Sequence, residues 1–150
     1  MKIENGTKGE GKKMAVWGIG AYNPKNNEDK AKQFVEKGKI EIGYTEEEKP
    51  MFYRLLKSIE YGDLVFIKAR YRYDKPLTIK AIGLVIEIFE KDLNGSSKVE
   101  VCWISDFTNN PRRIQSENEC DGSTNTIYQE RDPKIIREII KIMNEERRNN

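Results

Sequence analysis

Two β-type runs, DLVFIKARY from Asp63 and LTIKAIGLVIEIFE from Leu77, flank the tetrapeptide Tyr73-Asp74-Lys75-Pro76, and they constrain the fold more than any other feature of the chain. β-Branched and aromatic residues favour a pleated surface, while Asp and Pro initiate a turn. The two runs are therefore expected to pair as a hairpin. In the second run Ile82, Leu84, Ile86 and Ile88 alternate onto one face. Ala81, Gly83 and Val85 leave the other face open to close approach, which suits the curvature of a small barrel.

The remaining elements follow from periodicity and punctuation. MAVWGIGAY (14 to 22) reads as a first strand running into a turn at Asn23-Pro24. Ala31, Phe34 and Val35 have helical spacing within Asp29 to Lys37, and Gly38 suits the left-handed residue that ends a helix. KIEIGY alternates as a half-buried strand does. Phe52, Leu55, Leu56 and Ile59 mark an amphipathic helix with Pro50 near its first turn, ending at Tyr61-Gly62. Asn94-Gly95 signals a hairpin leading to the strand KVEVCWISDF. Residues 108 to 126, rich in Asn, Ser, Gly and Asp, read as an extended loop or lid. TIYQE is expected to be a last short strand. Asp132 then caps a helix begun by Pro133, whose apolar stripe of Ile135, Ile136, Ile139, Ile140 and Met143 packs on the sheet, with a fraying EERRNN end. The expected class is α+β, a small twisted β-barrel flanked by helices. The expected organisation is a flexible, charged, glycine-rich arm at 1 to 13 and one domain at 14 to 148.

Composition excludes much chemistry. The chain of 150 residues has no histidine, which removes Ser-His-Asp triads, Cys-His pairs and H-E-x-x-H metal helices. Cys102 and Cys120 lack metal-ligand spacing and read as two reduced thiols, so no metal and no cofactor is expected. GIGAYN lacks the third glycine of a dinucleotide loop. The one enzyme alternative is a metal-dependent nuclease using the E-x-K triplet Glu47-Glu48-Lys49, although that triplet sits in a charge run before Pro50, where a solvated helix start is the ordinary explanation. No apolar stretch approaches the ~20 residues of a membrane span, and no secretory h-region is present, so a cytoplasmic chain without a membrane partner is expected.

A formal net charge of +2 provides no global positive field, so nucleic-acid contact must be local. Trp17, Tyr22, Tyr44, Tyr71, Tyr73, Trp103 and Phe107 all fall at expected strand ends or in loops, where rings can reach a shared cleft and stack on a base. Core packing is the alternative for Trp17 and Trp103, and an exposed hairpin tip is the alternative for Tyr71 and Tyr73.

The order WGIG, FVEKGKIEIGY, a helix, GDLVFIKA and IKAIGLVIEI resembles the PUA-like superfamily, with EVE-type modules and the N-terminal specificity modules of modification-dependent restriction systems as the nearest likeness. The likeness covers about residues 14 to 107. It implies a non-catalytic barrel that binds a flipped, modified base of DNA or RNA in an aromatic pocket. By position, the pocket candidates are Trp17, Tyr22, Tyr44, Trp103, Asp106 and Phe107, and the phosphate-binding candidates are Lys68, Arg70, Arg72 and Lys75. Unlike that pattern, the chain carries no attached nuclease or GTPase domain, so an effector protein in trans is an expected partner. The competing class is a small phage- or defence-related interaction protein that holds a nucleotide-like small molecule or a protein surface.

Overall fold

The computed structural model describes residues 13–89, 98–116 and 121–148. The arm at 1–12, the Asn94-Gly95 turn, Cys120 and the last two residues lie outside them. The chain folds into an α+β structure in which a curled, mixed seven-stranded sheet forms a half-barrel with three helices. In chain order the elements are β1 (Val16–Gly20), β2 (Tyr22–Asn23), β3 (Glu28–Asp29), α1 (Ala31–Lys37), β4 (Lys39–Ile40), α2 (Pro50–Ser58), β5 (Leu64–Ala69), β6 (Leu77–Phe89), β7 (Lys98–Asp106), β8 (Arg112–Ile114), β9 (Ile127–Glu130) and α3 (Pro133–Arg148).

The expected hairpin forms, with β5 antiparallel to β6 from Leu64 opposite Leu84 to Ala69 opposite Thr78. The sheet order is β4-β7-β6-β5-β1-β9, with β8 also paired to β6. Among the described strands only β1 and β5 pair in parallel, so their carboxyl ends lie at the same end of the sheet.

Both faces of the sheet are covered, which explains why Leu64-Val65-Phe66-Ile67 is continuously apolar rather than alternating. Val65 and Ile67 join Trp17, Ile19, Ile127, Phe34 of α1 and Leu56 of α2 in one core. Leu64 and Phe66 join Ile82, Tyr128 and the α3 residues Ile135, Ile139 and Ile142 in the other. Of the expected α3 stripe, Ile135 and Ile139 are buried and Ile136, Ile140 and Met143 only partly so, while Ile142, outside the expected stripe, is buried with them; Asp132 does cap the helix, its Oδ1 accepting the Lys134 N–H at 2.9 Å.

Gly38 ends α1 at φ 65°, in the left-handed region expected. Gly83 permits the predicted close approach, since a Cβ there would lie 2.7 Å from the Cys102 carbonyl oxygen and 2.5 Å from Val101 Cγ1. Four expectations change. KIEIGY contributes only the two-residue β4, α2 ends at Ser58 rather than Tyr61, and the 108 to 126 stretch contains β8. Ile86 and Ile88 are exposed rather than continuing the Ile82 face, because β6 bulges between Val85 and Glu87 and one residue falls out of register.

Candidate functional site: a cationic aromatic cleft

A cleft of about 260 Å³ opens beyond the carboxyl ends of the parallel strands, walled by Tyr22 and Pro24 after β1, Tyr44 before α2, Lys68 and Ala69 at the end of β5 with Arg70 and Tyr71 just beyond it, Lys80 of β6, and Thr124 to Thr126 before β9. A bulge helps to build it. Ile67 pairs with Ala81 and Lys68 with Ile79, which leaves Lys80 unopposed on β5 and turned to the cleft.

Lys68 and Arg70 form the floor and are only 4% and 3% exposed. The Lys68 ammonium donates to the Ser123 carbonyl at 2.8 Å and also to that of Asn125. Burial lowers it to about 8, with Asp121 opposing the shift and Arg70 adding to it. Arg70 is anchored more completely. It donates to the carbonyls of Lys75 at 3.1 Å, Tyr73 at 2.8 Å and Ser116 at 3.1 Å, and to Ser123 Oγ at 2.9 Å. Asp121, with Oδ2 3.9 Å from the guanidinium, accepts from the Ser123 hydroxyl and N–H through Oδ1. Those bonds tie the 121 to 126 strap to β5. Lys80 reaches Asp29 Oδ2 at 2.6 Å; burial alone would raise the Asp29 carboxyl, but this bond and the Ala31 N–H hold it below its usual range.

The rim is aromatic. Tyr22 is 42% exposed and its hydroxyl donates to Asn27. The Tyr44 ring meets Phe52 edge-on at 5.9 Å, and the Lys25 and Lys49 ammoniums lie 5.8 and 5.5 Å from its centroid. Lys25 also pairs with Glu48, whose carboxyl is held down to about 2 by that bond and by Thr45.

No protein-family model and no curated protein sequence matches this chain.

The expected pocket of Trp17, Tyr44 and Trp103 does not assemble. Trp17 is 3% exposed and its indole N–H donates to Asp63 Oδ2 at 2.9 Å, because β1 lies mid-sheet with cover on both faces. Trp103 leans on the α1-side core and donates to the Phe34 carbonyl at 2.9 Å. Phe107 is buried in the α3-side core under Arg112, and Asp106 accepts the Thr108 N–H and hydroxyl in the turn after β7. Of the six ring-pocket candidates, Tyr22 and Tyr44 line the cleft. Of the four phosphate candidates, Lys68 and Arg70 line it, whereas Arg72, paired with Asp74, and Lys75 are exposed on the hairpin tip outside it.

Sequence reasoning missed Lys80 and the Thr124 to Thr126 strap, since the first needs the bulge and the second a long-range return of the chain. Glu47-Glu48-Lys49 lies in a turn, where Glu48 and Thr45 exchange hydrogen bonds at 3.0 and 3.2 Å. The spacing Thr45-x-x-Glu48 was a readable sign of that reciprocal pair. Among the described residues no group of three or more acidic or thiol side chains is placed to hold a metal, Cys102 is an exposed free thiol, and no helix is long and apolar enough to cross a membrane.

Proposed function

We propose that the protein is a non-catalytic, PUA-like nucleic-acid reader of the EVE type, and that the cleft receives one base of DNA or RNA, with a modified base as the preferred ligand. The observation that carries this reading is the meeting of Tyr22 and Tyr44 with Lys68 at one opening. Stacking on an aromatic face contributes about 1–3 kcal/mol per base, and a base leaving a duplex costs a few kcal/mol, so two rings and a buried donor are of the right size to offset extrusion. The likeness of residues 14 to 107 to EVE-type modules supports the same reading. Trp17 and Trp103 have no direct role in it. A cytoplasmic defence setting with an effector acting in trans goes with this assignment.

With a net charge of +2 and few cations on the cleft, affinity should be modest and depend shallowly on salt. Fluorescence anisotropy with modified and unmodified oligonucleotides at two salt concentrations tests this. Binding that weakens on Tyr44→Ala supports it, and absence of binding to every oligonucleotide at low salt removes it. The small volume of the cleft favours a second reading, a free nucleotide-like ligand, which native mass spectrometry of freshly purified protein would reveal as a retained mass.

A further inference from the structure

The cleft has cations inside it as well as at its rim, where Lys25 and Lys49 flank Tyr44. Lys68 and Arg70 are buried in its floor, Lys80 joins them from β6 while paired with Asp29, and among the described residues no acidic side chain is part of the lining. Lys68 donates two of its three N–H groups to the Ser123 and Asn125 carbonyls, which leaves one donor for a ligand. Arg70 spends its guanidinium on four protein acceptors and supplies charge more than a new bond. Cations outside the lining, among them Arg72 and Lys75 on the hairpin tip and Lys25 and Lys49 beside Tyr44, are the ones an internal phosphodiester passing over the surface would meet.

We propose that the cleft takes a nucleotide phosphate monoester, with the phosphate against Lys68 and the base against Tyr22 and Tyr44. This rests on the base-binding reading above and names the ligand's anionic half. An internal phosphodiester is tied to two neighbours, and both would have to thread a space of about 260 Å³ for its oxygens to reach the floor. A monoester has one such tie. It also carries about −1.5 to −2 charges at pH 7, against about −1 for the diester, which suits a floor where the Lys68 ammonium keeps a donor beside Arg70. Two sources present this group, the phosphorylated end of a strand and a free mononucleotide.

The experiment compares labelled single-stranded octanucleotides bearing a 5′-phosphate, a 3′-phosphate or only hydroxyl ends, with mononucleotides and the matching nucleosides as competitors. A charge-assisted bond to a buried donor leads to an expected gain of about tenfold or more for one phosphorylated end over the hydroxyl end. Lys68→Met should erase that gain, so that phosphorylated and hydroxyl ends bind alike to the variant, whatever affinity the hydroxyl-ended strand retains. Lys68 also braces the strap, so the comparison of ligands on the unaltered protein decides the matter even where the variant fails to fold. Displacement by mononucleotides at equal or lower concentration than strand ends assigns the free ligand; the reverse order assigns the strand end. Equal affinity for phosphorylated and hydroxyl ends, with mononucleotides no better than nucleosides, overturns the phosphate assignment and leaves base binding standing. Binding of mononucleotides without binding of any oligonucleotide supports the phosphate site and overturns the polymer reading. No binding of any probe overturns both.

Discussion

Replacing Asp63 by alanine should destabilise the fold severely, because one carboxylate satisfies donors from three places in the chain. Its Oδ1 accepts the Ala15 N–H at 3.0 Å, and its Oδ2 accepts the Trp17 indole at 2.9 Å and the Glu60 N–H at 2.8 Å. Asp63 is fully buried, and these bonds join the entrance to β1, the middle of β1 and the turn before β5, the Trp17 bond being the one fully shielded from water. A buried donor left without a partner costs about 1–3 kcal/mol. Trp17 is buried and incurs that cost in full, whereas the half-buried Ala15 and Glu60 can turn partly to water, so the sum is roughly 3–5 kcal/mol. At roughly 2–4 °C per kcal/mol for a chain of this size, the melting temperature should fall by roughly 6–20 °C. Asp63→Asn separates bonding from packing. Its amide oxygen can take the Oδ2 position and keep Trp17 and Glu60, leaving its amide nitrogen facing the Ala15 N–H, so the loss should be about half that of alanine. Urea unfolding followed by far-UV circular dichroism reads both, provided the slope against denaturant is unchanged. A loss below about 1 kcal/mol for alanine, or equal losses for the two variants, would refute the reasoning.

Gly83→Ala should cost about 1–3 kcal/mol or more, because the new methyl meets backbone at the Cys102 carbonyl that no rotamer change can clear, and urea unfolding measures it. Tyr44→Ala, at the rim, should weaken oligonucleotide binding roughly tenfold by anisotropy, from the loss of one stacking face, while moving the unfolding midpoint little. Lys68 predicts opposite trends with pH. The groups facing it are Arg70 just beyond the end of β5, Asp121 before β9, the Tyr128 ring at 5.7 Å and Lys80 on β6. Its folded value, about 8, lies below the ordinary 10.5, so between those values the unfolded chain binds more protons and stability rises with pH, whereas affinity for a phosphorylated end falls as the ammonium is lost. Tyr128 is shifted upward by burial and opposes the stability trend only above pH ~10, so urea midpoints and anisotropy between pH 7.5 and 9.5 isolate Lys68, and parallel trends would contradict its assignment.

The elements were legible where local signals agreed with the tertiary setting. Gly38, Pro133 and the β5/β6 hairpin each combine a pattern with a stop or start residue, and each stands where the pattern put it; the α3 stripe is met at Ile135 and Ile139, with Ile142 completing the buried face. Ile86 was misplaced because alternation presumes a regular ladder, and a bulge shifts every later residue to the other face. The same limit governs the site. Trp17 and Tyr22 are five residues apart, yet one is pinned in the core by Asp63 and the other walls the cleft, since β1 ends at Gly20 between them. An aromatic in the middle of a sheet covered on both sides has nowhere to go but inward; only rings beyond the strand end can face a ligand. Lys68 breaks the converse expectation. A lysine in β5 next to a fully buried Ile67 reads as a strand end reaching solvent, but the strap of Ser123 to Asn125, more than fifty residues on, closes over it and supplies two carbonyls. The charge is thereby held under the opening rather than outside it. No local pattern in the sequence encodes that placement, and on the proposed reading it is what would favour a ligand able to bring its anionic group inside over one that stays on the surface.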